Sequence, residues 1–135
     1  MPRTDLPKEI QEAFFDFHWV KERLWRIEAP VEQALFADLE WLLNLPIWAR
    51  SGEQKLFDLR PMEVLSTPAQ FPDHAKRIEE ADLSFPLILM LNLRNEWVVM
   101  DGYHRLAKAR LLKIRILQIR KLPRSVIPLI ERTGP

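Results

Sequence analysis

Asp101, Gly102, Tyr103, His104, Arg105 and Lys108 gather within eight positions the groups that handle anions. Arginine grips phosphate oxygens through two parallel hydrogen bonds, and histidine offers a neutral donor or a charge near neutral pH. On a wheel of 3.6 residues per turn, His104, Arg105 and Lys108 fall on one side, with Tyr103, Leu106, Ala107 and Leu111 towards the other. The start of a helix leaves N–H groups unpaired and carries partial positive charge. A cationic first turn there is unfavourable unless an anion lies between the charges. Asp101 is placed to cap such a helix, and Gly102 to supply a positive φ or a close approach of ligand to backbone. The competing interpretation is a capped strand-to-helix turn whose polar side faces solvent.

Other chemistry is narrower. Glu63, Glu80 and Asp82 are carboxylates that could serve as a general base, and their spacing does not rank them. The chain has no Gly-x-x-x-x-Gly-Lys loop, which excludes a Walker-type nucleotide hydrolase. It has no cysteine, which excludes disulfides, thiolate metal sites and cysteine nucleophiles. The histidines, His18, His74 and His104, show no metal-ligand spacing, so no metal site is assigned.

The elements that must position the turn follow from apolar periodicity. A continuous apolar run at 87–91 suits a strand covered on both faces, and 97–100 returns as its hairpin partner through the turn-like residues 92–95. The helix bearing His104 and Arg105 comes next, then a β-branched strand at 113–120 ended by Pro123, and a short final helix at 124–130. Upstream, 71–81 forms a helix with His74 in its exposed first turn, 60–65 is a helical turn opened by Pro61, and 56–59 is a short strand. Residues 6–17 read as an amphipathic helix with Ile10, Ala13, Phe14 and Phe17 inward. Residues 35–43 read as another short helix, while 18–27 fit neither period. The polar loop at 51–55 marks the boundary between two parts of one domain: a helical, tryptophan-rich extension at 1–53 packed on a unit at 54–135. The fold class is α+β, a small mixed sheet with short helices.

The strand followed by Asp101-Gly102-Tyr103-His104-Arg105 and a helix resembles the signature of the ParB/sulfiredoxin-like superfamily, over residues 56–122. That superfamily includes the nucleotide-binding domain of partition proteins, sulfiredoxin, and a small kinase acting on free serine. The resemblance implies a ParB-like, sulfiredoxin-like fold in which Gly102, Tyr103, His104, Arg105 and Lys108 hold nucleotide phosphates. Tyr103 stands where sulfiredoxin has its reacting cysteine, which excludes that chemistry. Asp82-Leu83-Ser84-Phe85-Pro86 keeps only the proline of the partition proteins' Gly-x-x-Gln-Pro element, which argues against a cytidine-triphosphate clamp. The nearest form is the kinase's Asp-Gly-His-His-Arg. By that resemblance the nucleotide is ATP or ADP rather than CTP, with Mg2+ at the phosphates, and Asp101 and His104 are the candidate catalytic residues of a phosphoryl transfer. The alternative is a non-catalytic, DNA-associated or protein-interaction module of partition-protein type.

Composition bounds the partners. The 135 residues have a formal net charge of +1, but residues 101–135 carry +7 and residues 1–100 carry −6. A basic segment suits nucleotide phosphates or a DNA backbone. The amino-terminal residues lack a signal peptide's apolar core and no run is long enough to span a bilayer, so the expected location is cytoplasmic, with no membrane partner. Four of the five tryptophans lie in the first 48 residues. They either pack on the sheet or form a homodimer interface. Arg105→Ala is expected to weaken phosphate binding with the fold intact.

Overall fold

The computed structural model describes residues 6–50 and 57–132. Its helices are α1 (Lys8–Ala13), α2 (Lys21–Trp25), α3 (Pro61–Ser66), α4 (Pro72–Glu80), α5 (Tyr103–Leu111) and α6 (Ile127–Ile130), and its strands β1 (Val31–Leu35), β2 (Leu87–Leu91), β3 (Trp97–Asp101) and β4 (Ile116–Leu122). The strands form one mixed sheet in the order β1-β4-β2-β3, antiparallel except for the parallel β2–β4 pair. Among the described residues, no helix is long and apolar enough to cross a membrane.

β2 lies between β4 and β3, which is why its run is apolar at every position and Leu87, Leu89 and Met90 are buried. β4 alternates instead: Leu117 and Ile119 face the core while Ile116 and Gln118 face outward. The β2–β3 turn is organised by Asn92, a buried polar residue whose amide is fully used. Its Oδ1 accepts from the N–H groups of Arg94 and Glu96, both at 2.9 Å, and its Nδ2 donates to Ala13 O at 2.9 Å and Glu96 Oε1 at 2.9 Å. One side chain thereby closes the hairpin and ties α1 to it.

The first fifty residues depart from expectation in two places. The helix expected over 6–17 stops at Ala13, where Phe14 turns extended (φ −90, ψ −169). Phe15, Phe17 and Trp19 then pack as a cluster, with centroids 5.5, 5.6 and 5.8 Å apart. In a continued helix the side chains at 15, 17 and 19 would point to different sides, so aromatic packing overrides helical propensity here.

The helix expected over 35–43 is replaced by two 3-10 turns, Phe36–Asp38 and Glu40–Asn44, preceded by β1, which the sequence did not announce. β1 is an edge strand exposed at nearly every position, so it shows no periodicity of its own. Its pairing with β4, from Val31 opposite Arg120 to Leu35 opposite Ile116, specifies it. Residues 18–27, left without a period, contain α2, held by Val20 N–H to Ile130 O at 2.9 Å. The proposed boundary at 51–55, the start of the 56–59 strand and the first five residues lie outside the described residues. Leu59 makes an isolated antiparallel bridge with Trp48.

α3, α4, β2, β3, α5 and β4 fall close to where periodicity places them. Core residues of the first fifty, among them Ile10, Leu24, Leu39 and Leu42, join Leu89, Val99, Leu106 and Ile119 in one cluster.

Candidate functional site

A cleft of about 1270 Å³ runs past the amino-terminal end of α5. Its walls come from α2 (Lys21, Trp25), the 47–50 segment, α4 (His74, Arg77), the 85–86 segment before β2, and the Asp101–Arg105 turn.

Gly102 sets the turn. It is the residue before the helix, with φ 117 and ψ 22, a conformation L side chains rarely adopt. A Cβ there would also lie 2.4 Å from Leu87 Cδ2 and 3.3 Å from Arg105 Cζ. The helix start has no side-chain cap. Its first internal bond is Leu106 N–H to Gly102 O at 2.9 Å, so the N–H groups of residues 103–105 stand at the open helix end.

Asp101 does not cap the helix as expected. Its Oδ2 accepts from Arg105 Nη2 at 2.9 Å and from Trp25 Nε1 at 3.1 Å. The anion that a cationic first turn calls for is therefore supplied by the chain itself.

Arg105 is committed to the fold. Besides Asp101 it donates through Nη1 to Phe85 O at 3.0 Å and Pro86 O at 2.8 Å, bracing the entry to β2. Lys108 is likewise engaged, its ammonium donating to Glu79 O at 2.7 Å and Ala81 O at 2.8 Å, where it satisfies the carboxyl-terminal carbonyls of α4. Tyr103 turns inward: its ring stacks on Phe14 at 6.1 Å, and its hydroxyl is buried without a partner among the described residues. Burial pushes that phenol well above its ordinary pKa. Of the candidate phosphate ligands, Gly102 and His104 also line the cleft.

His104 has a partner the sequence did not suggest. His74, expected as a solvated surface residue, is half-buried. Its Nδ1 lies 3.3 Å from His104 Nε2 and its Nε2 lies 3.3 Å from Ala49 O. A carbonyl only accepts, so His74 carries its proton on Nε2 and its Nδ1 accepts from His104 Nε2–H. Both rings lie nearly parallel to the Trp48 indole, with centroids 4.5 and 4.3 Å from it. Burial lowers the pKa of both histidines, taking His104 to about 3, with Arg77, His74 and Lys21 acting in the same direction. The pair is neutral at physiological pH.

Lys21 and Arg77, which sequence reasoning missed, are the cleft cations without an ion-pair or hydrogen-bond partner among the described residues. Arg50 pairs with Glu63, and Arg120 donates to Ala29 O at 3.0 Å. A signal for them existed. Arg77 is three residues after His74 on a helix that was expected, and Lys21 precedes Trp25 by one turn.

Of the carboxylates weighed as bases, Glu80 and Asp82 line the cleft; Glu63 accepts from Arg60 N–H at 2.8 Å at the start of α3. That bond, with Arg50, holds Glu63 below its ordinary pKa, as the Ser84 hydroxyl and N–H hold Asp82. No three His, Cys, Asp or Glu side chains converge to hold a metal among the described residues. Asp101 Oδ2 already accepts two bonds, and an Mg2+ bound with a nucleotide takes most of its ligands from phosphates and water.

Comparison with protein-family models, with curated proteins and with solved structures gives no match. The architecture defines an α+β domain with a four-stranded mixed sheet and a cleft at the start of α5.

Proposed function

We propose that this protein is a ParB-like domain that binds a nucleotide or related phosphate ligand at the Asp101–Arg105 turn. One observation carries this reading: the uncapped end of α5 opens where Arg77 and Lys21 set a positive field at His104, and neither cation is paired among the described residues. Backbone N–H groups, a helix dipole and two free cations together form an anion site. The ligand's phosphates then take Lys21, Arg77 and the helix end, with Arg105 behind them as a brace.

Binding is better supported than transfer of the phosphoryl group. A general base works best with a pKa near the operating pH, and His104 at about 3 lies far below it. Asp101 is engaged as an acceptor for Arg105 and Trp25. The DNA alternative draws on the basic carboxyl-terminal segment, but much of that charge is engaged internally. Arg110 pairs with Glu40, Lys121 lies 3.9 Å from Glu32, and Arg124 donates to Leu91 O at 2.9 Å.

Titration of the full chain with ATP, ADP, CTP and a short DNA duplex at two salt concentrations separates these readings. Saturable mononucleotide binding with a shallow salt dependence is expected. Binding to the duplex alone, collapsing as salt rises, would replace the nucleotide reading with the DNA one.

A further inference from the structure

The cleft is aromatic as well as charged. Trp25 and Phe85 line it with 58% and 64% of their surfaces exposed. Among the described residues neither ring has a ring partner. Exposed rings that line a cleft offer flat apolar faces on which a planar ligand can stack.

Both are registered to the same ion pair. Trp25 Nε1 donates to Asp101 Oδ2, and the Phe85 carbonyl accepts from Arg105 Nη1. The two ring-bearing segments are thereby fixed against the start of α5. On α2, Lys21 and Trp25 lie four residues apart on one face, so this helix presents a cation and an indole one turn apart to the cleft. Lys21 acts on the His104 end, and Trp25 reaches the Asp101 end.

A ligand that matches this arrangement has a flat ring at one end and multiple negative charge at the other. We propose that Trp25 and Phe85 form a seat for the base of a nucleoside di- or triphosphate, its phosphates lying against Lys21, Arg77 and the amino-terminal end of α5. This assignment rests on the phosphate site proposed above and names its ligand class. It makes α2, from the amino-terminal part of the chain, a recognition element of the site.

The test uses the full chain in calorimetric titrations with ADP, CDP and inorganic pyrophosphate, which carries the phosphates without a base. The tighter nucleotide should exceed pyrophosphate by about tenfold or more, the worth of one stacked base. Trp25→Ala and Phe85→Ala should each weaken the nucleotide by roughly five- to tenfold and leave pyrophosphate unchanged. Trp25→Phe, which keeps a ring but loses the N–H, should stay within about threefold of the parent. Both side chains are mostly exposed, so thermal melts should show every variant cooperatively folded, the Trp25 variants lowered by no more than the loss of the one hydrogen bond to Asp101. Equal affinity for nucleotide and pyrophosphate, or Trp25→Ala weakening both alike, would overturn the base seat while leaving the phosphate site standing. Binding of neither ligand would remove the phosphate site, and the base seat with it. A single-stranded oligonucleotide that displaces the nucleotide at lower concentration would overturn the mononucleotide assignment.

Discussion

Two sets of cations lie around the first turns of α5, and they have opposite fates. Arg105 and Lys108 on α5 are enclosed by acceptors: a carboxylate and two carbonyls for one, two helix-terminal carbonyls for the other. Lys21 on α2 and Arg77 on α4 face the same helix end with no partner among the described residues. The first set builds the turn and the second is available to a ligand. Residue type and spacing single out a cationic turn, but which cation is engaged also depends on carbonyls far away in sequence.

The structural side of this comparison breaks hardest at Gly102. Gly102→Val should destabilise by roughly 3–5 kcal/mol, combining an unfavourable φ with overpacking against Leu87, read as a lowered denaturant midpoint. Next is Arg105→Ala, which strips the partner from two carbonyls and the Asp101 carboxylate, at about 2–4 kcal/mol. This replaces the expectation that Arg105 could be removed with the fold intact. An Arg105→Ala protein that melts with the parent would return Arg105 to the set of free cations.

Acid should weaken the fold before the carboxylates titrate. With folded pKa values below the unfolded value of about 6.5, the unfolded chain takes up protons first as pH falls. The stability associated with neutral His104 is full above that value and is lost progressively below it. Between pH 6.5 and 4.5 the loss should be on the order of 2 kcal/mol. Urea unfolding across that range checks it, and a His104→Phe variant should show a flatter slope. Smallest is Lys108→Met, about 1 kcal/mol from two lost hydrogen bonds at a helix end. It should leave ligand affinity unchanged.

What could be read from the chain divides along the same line. β2, β3 and α5 carry strong local patterns, an apolar run, a hairpin turn and a strand-Asp-Gly-helix corner, and they form where those patterns place them. The positive φ at Gly102 was likewise implied by its place in the corner. β1 was not legible because an exposed edge strand shows no period and takes its identity from β4. The His74–His104 pair was not legible because Trp48 and Ala49, whose ring and carbonyl fix it, lie 26 and 25 positions before His74. The engagement of Lys108, and of Arg105 Nη1, was not legible because the acceptors are backbone carbonyls, which no residue type announces; the Asp101–Arg105 pair at i,i+4 is the part that spacing could have shown.

The most direct test of the account is a nucleotide titration of the Lys21→Ala/Arg77→Ala double variant beside the parent, with thermal melts of both. Neither side chain has a partner among the described residues, so the melting temperature should be unchanged while affinity for the nucleotide falls by about 10- to 100-fold, the worth of one or two charge-assisted contacts. Unchanged affinity in a variant that melts with the parent would contradict the claim that the free cations of α2 and α4 are what hold the ligand.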